Sequence, residues 1–246
     1  AYSSKYLVRI KKSIPKLYFK EMKKTIALLL ITLVTIQNTN AQENGQDEFG
    51  SWGMFFGNAR LTDKISISPE VQYRTYEFGS NFNQLLLRTG VNWHINKSTT
   101  ATIGYGYIST DGTFNEPTGE QNTLEHRLYG QFTSKNSLGK FKATHRYRFE
   151  QRFINNPLSA NDTQYRVRYL LRLTYPISKN WFVSAYDEVF INLQEPVFSQ
   201  NRLYAALGYH LNSAITTQVG YLKNHFTGKN YDRFQIGIWY KLDFRS

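Results

Sequence analysis

The feature that most constrains this chain is an alternation of apolar and polar residues with a period of two, held over runs of ten or more positions. From Ile65 the odd positions read Ile65, Ile67, Pro69, Val71 and Tyr73, against Ser66, Ser68, Glu70, Gln72 and Arg74. From Phe141 they read Phe141, Ala143, His145, Tyr147 and Phe149, against Lys142, Thr144, Arg146, Arg148 and Glu150. From Tyr165 an apolar set (Tyr165, Val167, Tyr169, Leu171, Leu173) opposes Arg166, Arg168, Leu170, Arg172 and Thr174. Near the C-terminus Phe234, Ile236, Ile238, Tyr240, Leu242 and Phe244 oppose Arg233, Gln235, Gly237, Trp239, Lys241 and Asp243. Successive side chains of a strand point to opposite faces, so this is a strand pattern and not a helical one. Strands in globular proteins average about five or six residues. The longer runs here suit a tilted crossing of a hydrocarbon layer.

Segments of this kind fall at 49–61, 64–77, 82–95, 98–110, 121–134, 140–153, 163–177, 180–192, 200–212, 214–226 and 231–244. The connections alternate between tight (Thr62-Asp63, Asn96-Lys97, Lys135 to Gly139, Ser178-Lys179, Asn212-Ser213) and longer, with Pro117, Pro157 and Pro196 in the longer set. Short turns at one end and longer loops at the other are the habit of outer-membrane barrels. Trp93, Tyr175 and Trp181 would form one aromatic girdle; Tyr73, Tyr76, Phe149, Phe153, Tyr221 and Phe226 would form the other. The expected fold is all-β: one antiparallel transmembrane β-barrel. Single-chain bacterial barrels carry even strand numbers, so an even total of about 10–12 is expected, with Phe49 to Arg60 either incomplete or folded at Gly50 or Gly57.

Ahead of this region Lys23-Lys24, the apolar run Ile26 to Ile36 and Thr39-Asn40-Ala41 have the form of a secretory signal. The expected organisation is a cleavable signal peptide over 22–41 and a barrel over 42–246, exported to the bacterial outer membrane. Residues 1–21 precede Met22 and read as an upstream extension outside the fold. Without residues 1–41, which hold eight basic residues and one acidic one, the formal charge drops from +12 to +5. The basic balance therefore belongs mostly to the leader and does not imply nucleic acid as a partner. No cysteine is present, which excludes disulfides, thiolate metal sites and a lipoprotein anchor. Tyr 18, Phe 17 and Trp 4 make a chain with 20% charged residues unusually aromatic, as barrel girdles require.

The closing pattern Tyr240-Lys241-Leu242-Asp243-Phe244, the run Trp181 to Phe190 and a leader ending at Ala41-Gln42 together resemble an uncharacterised Bacteroidetes outer-membrane barrel family, domain of unknown function 2490, over most of the chain after the leader. The resemblance implies a secreted barrel and carries over no functional residues. Arg245-Ser246 follows the terminal aromatic, whereas the barrel signal ends on the aromatic itself.

The chief constellation is the set whose parity places it in the lumen: Glu70, Arg74, Arg88, Glu125, Arg127, Arg146, Arg148, Glu150, Arg152, Arg166, Arg168, Arg172 and Glu188. Charges that cannot face lipid must pair or meet water. Two readings follow. One is a porin-like or solute-binding barrel for small anions, whose carboxylate or phosphate groups suit the guanidinium fork. The other is a structural network that fills a narrow lumen. His126 and His145 have outward parity. A hairpin turning over Lys135 to Gly139 would bring them close, and their outward parity makes His126 or His145 the candidate for an outer-leaflet lipid-modifying enzyme of phospholipase or lipid A deacylase type. That chemistry needs a hydroxyl nucleophile within hydrogen-bond reach; Thr123 and Thr144 have the opposite parity, and the non-enzyme reading is preferred. Asp187 shares parity with Trp181, Val183 and Val189, and a bulge turning it inward is the simplest resolution. Asp111, Glu116 and Glu120 suggest a loop that is solvated or holds a divalent cation. His94 and His210 fall on the inner parity. No metal site, cofactor motif or phosphate loop is legible, and the expected partners are outer-membrane lipid and small anionic solutes, with the oligomeric state left open.

Overall fold

The computed structural model describes residues 45–46, 48–114 and 122–245. The expected leader, the stretch 1–21 and the loop residues Glu116, Pro117 and Glu120 lie outside the described residues. The chain runs through β1 (Phe49–Arg60), β2 (Ile65–Ile67), β3 (Glu70–Thr75), β4 (Phe82–His94), β5 (Thr99–Thr110) and β6 (Thr123–Leu138). It continues through β7 (Phe141–Asn155), β8 (Asp162–Pro176), β9 (Trp181–Asn192), β10 (Phe198–His210), β11 (Ile215–Phe226) and β12 (Lys229–Asp243). All belong to one sheet that closes on itself.

β2 and β3 are two parts of one wall strand. Both pair with β1 on one side and β4 on the other, and the register runs unbroken across the gap, from Ala59↔Ile67 to Phe56↔Glu70. The gap is Ser68-Pro69, where proline has no N–H to give to a ladder. Gly57 fits against it: its N–H donates to Pro69 O at 2.8 Å, and a Cβ at residue 57 would stand 2.7 Å from Pro69 Cγ. Gly50 is held to a bare backbone in the same way, since a Cβ there would lie 2.4 Å from Thr75 O. These glycines serve close approach, and β1 crosses the wall as one strand without the turn expected at Gly50 or Gly57.

The barrel therefore has eleven wall strands, which corrects the even count expected from the sequence. Each connection reverses direction, so after an odd number of strands the first and last run the same way. The seam between β1 and β12 is accordingly parallel, from Phe49↔Asp232 to Arg60↔Asp243. Parallel pairing is slightly weaker per residue than antiparallel, and this seam compensates by running the whole length of β1.

The tight turns are made by polar side chains that take up turn amides. Thr62 Oγ1 accepts from Lys64 and Ile65, Asn96 Oδ1 from Ser98, Ser178 Oγ from Trp181, and Asn212 Oδ1 from Ala214 and Ile215. Asn and Ser favour turns for this reason. The expected β6–β7 loop is much shorter than the sequence suggests. Lys135 to Leu138 are strand residues paired with Thr144 to Phe141, leaving Gly139 (φ 60°) and Lys140 as the turn.

Apolar side chains cover the outer wall, among them Ile103, Trp93, Tyr147, Phe149, Val183 and Ile236, all exposed. The inner face carries the charged and amide residues. Two expected girdle members are corrected: Tyr76 is buried and donates to Asp111 O, and Phe226 lines the lumen. Their even positions place them on the inner parity. Asp187 is corrected as well. β9 has an unbroken register with β8, and Asp187 faces outward without a bulge, accepting from Asn201 Nδ2 of β10 at 2.7 Å.

The parallel seam is open to a direct test in this cysteine-free chain. The pairs Gly53/Ile236 and Ala59/Leu242 share one offset, so cysteine pairs at both sites should each form a disulfide on mild oxidation. Crosslinking of only one of the two pairs is the result an antiparallel seam would give, and crosslinking of neither the result of an open one.

Candidate functional site

Four glutamates organise the inner face. Glu150 is fully buried: its Oε2 accepts from Arg166 at 2.6 Å, its Oε1 from Arg168 at 2.7 Å, and Arg127 and Arg148 stand at 3.6 and 3.7 Å. Glu188 Oε1 takes Arg168 at 2.6 Å and Arg146 at 2.7 Å. Glu125 takes Arg127 at 2.6 Å and Arg152 at 2.8 Å. Glu70 is paired with Arg88. Arg168 thus bridges two carboxylates, and the four clusters reach from β3 and β4 round to β9. The register explains the contacts. Glu150 of β7 sits directly opposite Arg166 of β8, and Arg168 is the next inward position.

Two of the residues named from the sequence lack a carboxylate partner among the described residues. Arg74 donates instead to the side-chain oxygens of Gln72 and Gln84. Arg172 lies over the Tyr186 ring at 5.3 Å. Two further inner arginines escaped the sequence reading. Arg202 of β10 lies 4.7 Å from the Phe190 ring centroid and 5.1 Å from that of Trp52, and Arg233 of β12 donates to the backbone oxygens of Glu48 and Asp232. Their signal was present, since both share parity with buried neighbours: Arg202 with Gln200 and Tyr204, Arg233 with Gln235. With these two added to the nine arginines named above, eleven guanidinium groups face four glutamates on the inner wall, and Arg60 holds the same parity at the tight-turn end of β1.

The surplus is unevenly placed. At the end with the longer loops the lumen opens into a cup of about 470 Å³. Arg74, Arg202, Lys229 and Arg233 line it together with the ion-paired Arg88, Arg127, Arg152, Arg166 and Arg168, with Trp52 and Phe190 as its aromatic wall and Glu125 as its one carboxylate among the described residues. Beneath it the ion-paired layer and a packed cluster of Trp52, Tyr204 and Leu222 fill the section, Glu150 and Leu222 being wholly inaccessible. Smaller cavities of about 70 and 170 Å³ lie deeper.

The structure does not bring the two outward histidines together. His126 pairs across the ladders with Tyr107 and Phe153, whereas His145 pairs with Ser134 and Leu171. Ser134 is eight positions beyond His126 on the same strand, which separates the two imidazoles by roughly 27 Å at about 3.4 Å per residue. The shortened β6–β7 turn is the cause, because it moves the register. Each histidine meets a tyrosine: His126 Nδ1 lies 2.6 Å from Tyr105 OH, and His145 Nδ1 lies 2.9 Å from Tyr169 OH. A serine–histidine contact occurs elsewhere, inside the barrel, with Ser66 Oγ 2.9 Å from His94 Nε2. Ser66 is inaccessible, and Thr100 rather than a carboxylate contacts the other ring nitrogen. A hydrolytic triad needs an exposed nucleophile and an orienting group that stabilises the imidazolium, so this contact is structural. His210 Nδ1 meets Thr216 Oγ1 at 2.8 Å.

A closed β-barrel with a charged interior and a basic cup at one end is the class of protein these features define. The chain belongs to the family described as Protein of unknown function (DUF2490), matched over residues 49–235. It is also similar to an uncharacterized protein of Methylorubrum extorquens, at 29% identity over 170 residues that span 64% of this chain and 70% of that protein.

Removing one member of a buried ion pair strands its partner and costs about 3–5 kcal/mol. Glu150→Gln leaves Arg166 and one side of Arg168 without an anion, so thermal unfolding of the purified barrel should shift to clearly lower temperature. A melting temperature within a degree of the parent would show that Glu150 does not hold the layer together.

Proposed function

We propose that this protein is a bacterial outer-membrane β-barrel that captures small anionic solutes in the cup at its long-loop end and does not conduct them through the wall. The observation that carries this reading is the position of cations that have no carboxylate within ion-pair distance. All four inner glutamates are engaged by arginines of the middle layer, while Arg74, Arg202 and Arg233 face the cup with no ion pair among the described residues. A cleft lined by one sign of charge with low-dielectric walls concentrates counter-ions of the opposite sign. The layer beneath the cup, with Glu150 inaccessible at its centre, favours capture over passage.

Placement in the outer membrane rests on the apolar outer wall. Exposed apolar patches larger than a few hundred Å² are rare on soluble monomers, and here exposed apolar side chains occur on every wall strand. An arginine directed to the bilayer midplane would cost about 2–4 kcal/mol in a barrel, and all eleven are directed inward. The lipid-modifying alternative, built on His126 or His145, loses support because each imidazole meets a tyrosine hydroxyl and not a serine or threonine.

Expressed with a bacterial export signal, the protein should fractionate with the outer membrane and migrate faster on a detergent gel when unheated. Reconstituted in a planar bilayer it should show no conductance steps. Stable anion-selective steps would replace capture by a pore. Recovery from the soluble periplasm would remove the membrane assignment, and altered lipid A acyl chains in expressing cells would restore the enzymatic reading.

A further inference from the structure

Arg74 and Arg202 come from opposite parts of the wall, β3 and β10, and meet at one aromatic ring. The guanidinium carbon of Arg74 lies 3.8 Å from the Trp52 ring centroid, and that of Arg202 lies 5.1 Å from it. The two cations repel each other. Neither has a carboxylate within ion-pair distance among the described residues; Arg74 has amide oxygens only, and Arg202 Nε is buried without any acceptor. Both open onto the cup of about 470 Å³, a size that suits a small organic ligand.

Glu188 stands opposite Arg202 in the ladder but its carboxylate is taken by Arg146 and Arg168, so two cations at one ring, neither in an ion pair among the described residues, call for a group that brings two negative charges. A carboxylate brings one charge and two oxygens. A phosphate monoester brings about −1.5 to −2 charges at pH 7 and three strong acceptor oxygens, and the planar guanidinium fork accepts it in paired hydrogen bonds. We infer that Arg74 and Arg202, set against Trp52, form a binding site for the phosphoryl group of a small soluble phosphate monoester entering from the long-loop end. This rests on the anion-capturing reading of the cup and gives that cup its ligand class. The site lies inside the wall, so the phosphoryl group belongs to a solute and not to a lipid headgroup outside it.

The ligand leaves a pH signature. Arginine stays charged throughout, and a carboxylate is ionised above about pH 5, whereas a phosphate monoester loses its second proton near pH 6. Affinity for the monoester should therefore rise between pH 5 and pH 7.5, and affinity for a carboxylate should not.

Titration calorimetry of the full barrel in detergent, at matched ionic strength, tests the site with glucose 6-phosphate, inorganic phosphate, acetate and short-chain phosphatidic acid as probes. The parent protein should bind the two soluble phosphates, more tightly at pH 7.5 than at pH 5, with acetate at least tenfold weaker. Arg202→Gln and Arg74→Gln should each weaken glucose 6-phosphate about tenfold or more. Arg202 forms no ion pair among the described residues and its Nε has no acceptor, so Arg202→Gln disturbs the fold least and decides the matter even if Arg74→Gln fails to fold. A parent protein that binds none of these anions defeats the capture reading itself. Phosphate binding that Arg202→Gln leaves unchanged preserves the cup and defeats this site. Acetate binding of equal strength with a flat pH response overturns the phosphoryl assignment. Competition by phosphatidic acid as strong as that by glucose 6-phosphate overturns the soluble solute.

Discussion

Glu150 and Glu188 are the groups on which the rest of the barrel depends. Between them they hold Arg146, Arg166 and Arg168 directly, with Arg127 and Arg148 at slightly longer range. These contacts tie β6, β7, β8 and β9 together across the lumen, in addition to the ladders that join them along the wall. Taking charges out of water costs several kcal/mol per ion, which only close opposite charges and full hydrogen bonding offset. A soluble protein usually avoids that cost with an apolar core. Here the outer wall is apolar, so the inward parity of each strand must accept polar side chains, and arginine with glutamate fills the space between walls.

Carboxylates are the scarce component of this interior, and their scarcity produces its asymmetry. The middle layer holds all four glutamates, each shared by one or more arginines, with Arg172 resting on Tyr186. The long-loop end is left with Arg74, Arg202 and Arg233 on amides, backbone oxygens and aromatic faces. Cation–π contacts contribute about 0.5–2 kcal/mol, less than the cost of an unpaired buried charge, so they hold the guanidinium groups in place without compensating them. The odd strand count adds to the asymmetry, because β1 enters at the cup end and β12 leaves at the tight-turn end.

Much of this was legible in the sequence because alternation is local. The expected segments overlap every wall strand, and the thirteen charged residues assigned to the lumen face inward in the structure. Other features depend on properties that alternation does not carry. Strand number and seam direction are decided at closure, between Phe49 and Asp232, far apart in the chain. The run Lys135 to Leu138 is polar enough to look like a loop, yet it pairs as strand with Thr144 to Phe141, a case of pairing overriding composition. That shift set His126 and His145 about eight positions apart along the ladder. Arg202 was missed because its strand, with Ala205, Ala206 and Gly208, has little contrast between its faces. Asp187 has the parity the sequence assigns it, and its outward Asn201 partner sits on the neighbouring strand.

The central claim is that acidic groups limit the stability of this interior while arginines at the cup are in excess. Thermal unfolding of Glu188→Gln and Arg202→Gln, compared with the parent in one buffer free of polyvalent anions, tests it most directly. Loss of Glu188 strands Arg146 and one side of Arg168 and should lower the melting temperature. Loss of Arg202 removes a buried cation that sits across the ladder from Glu188 without reaching ion-pair distance, and leaves Glu188 its closer partners Arg146 and Arg168, so the melting temperature should fall far less than in Glu188→Gln, or hold. A fall of similar size in both variants would mean that Arg202 is neutralised within the fold, and the account of a charge-deficient cup would be wrong.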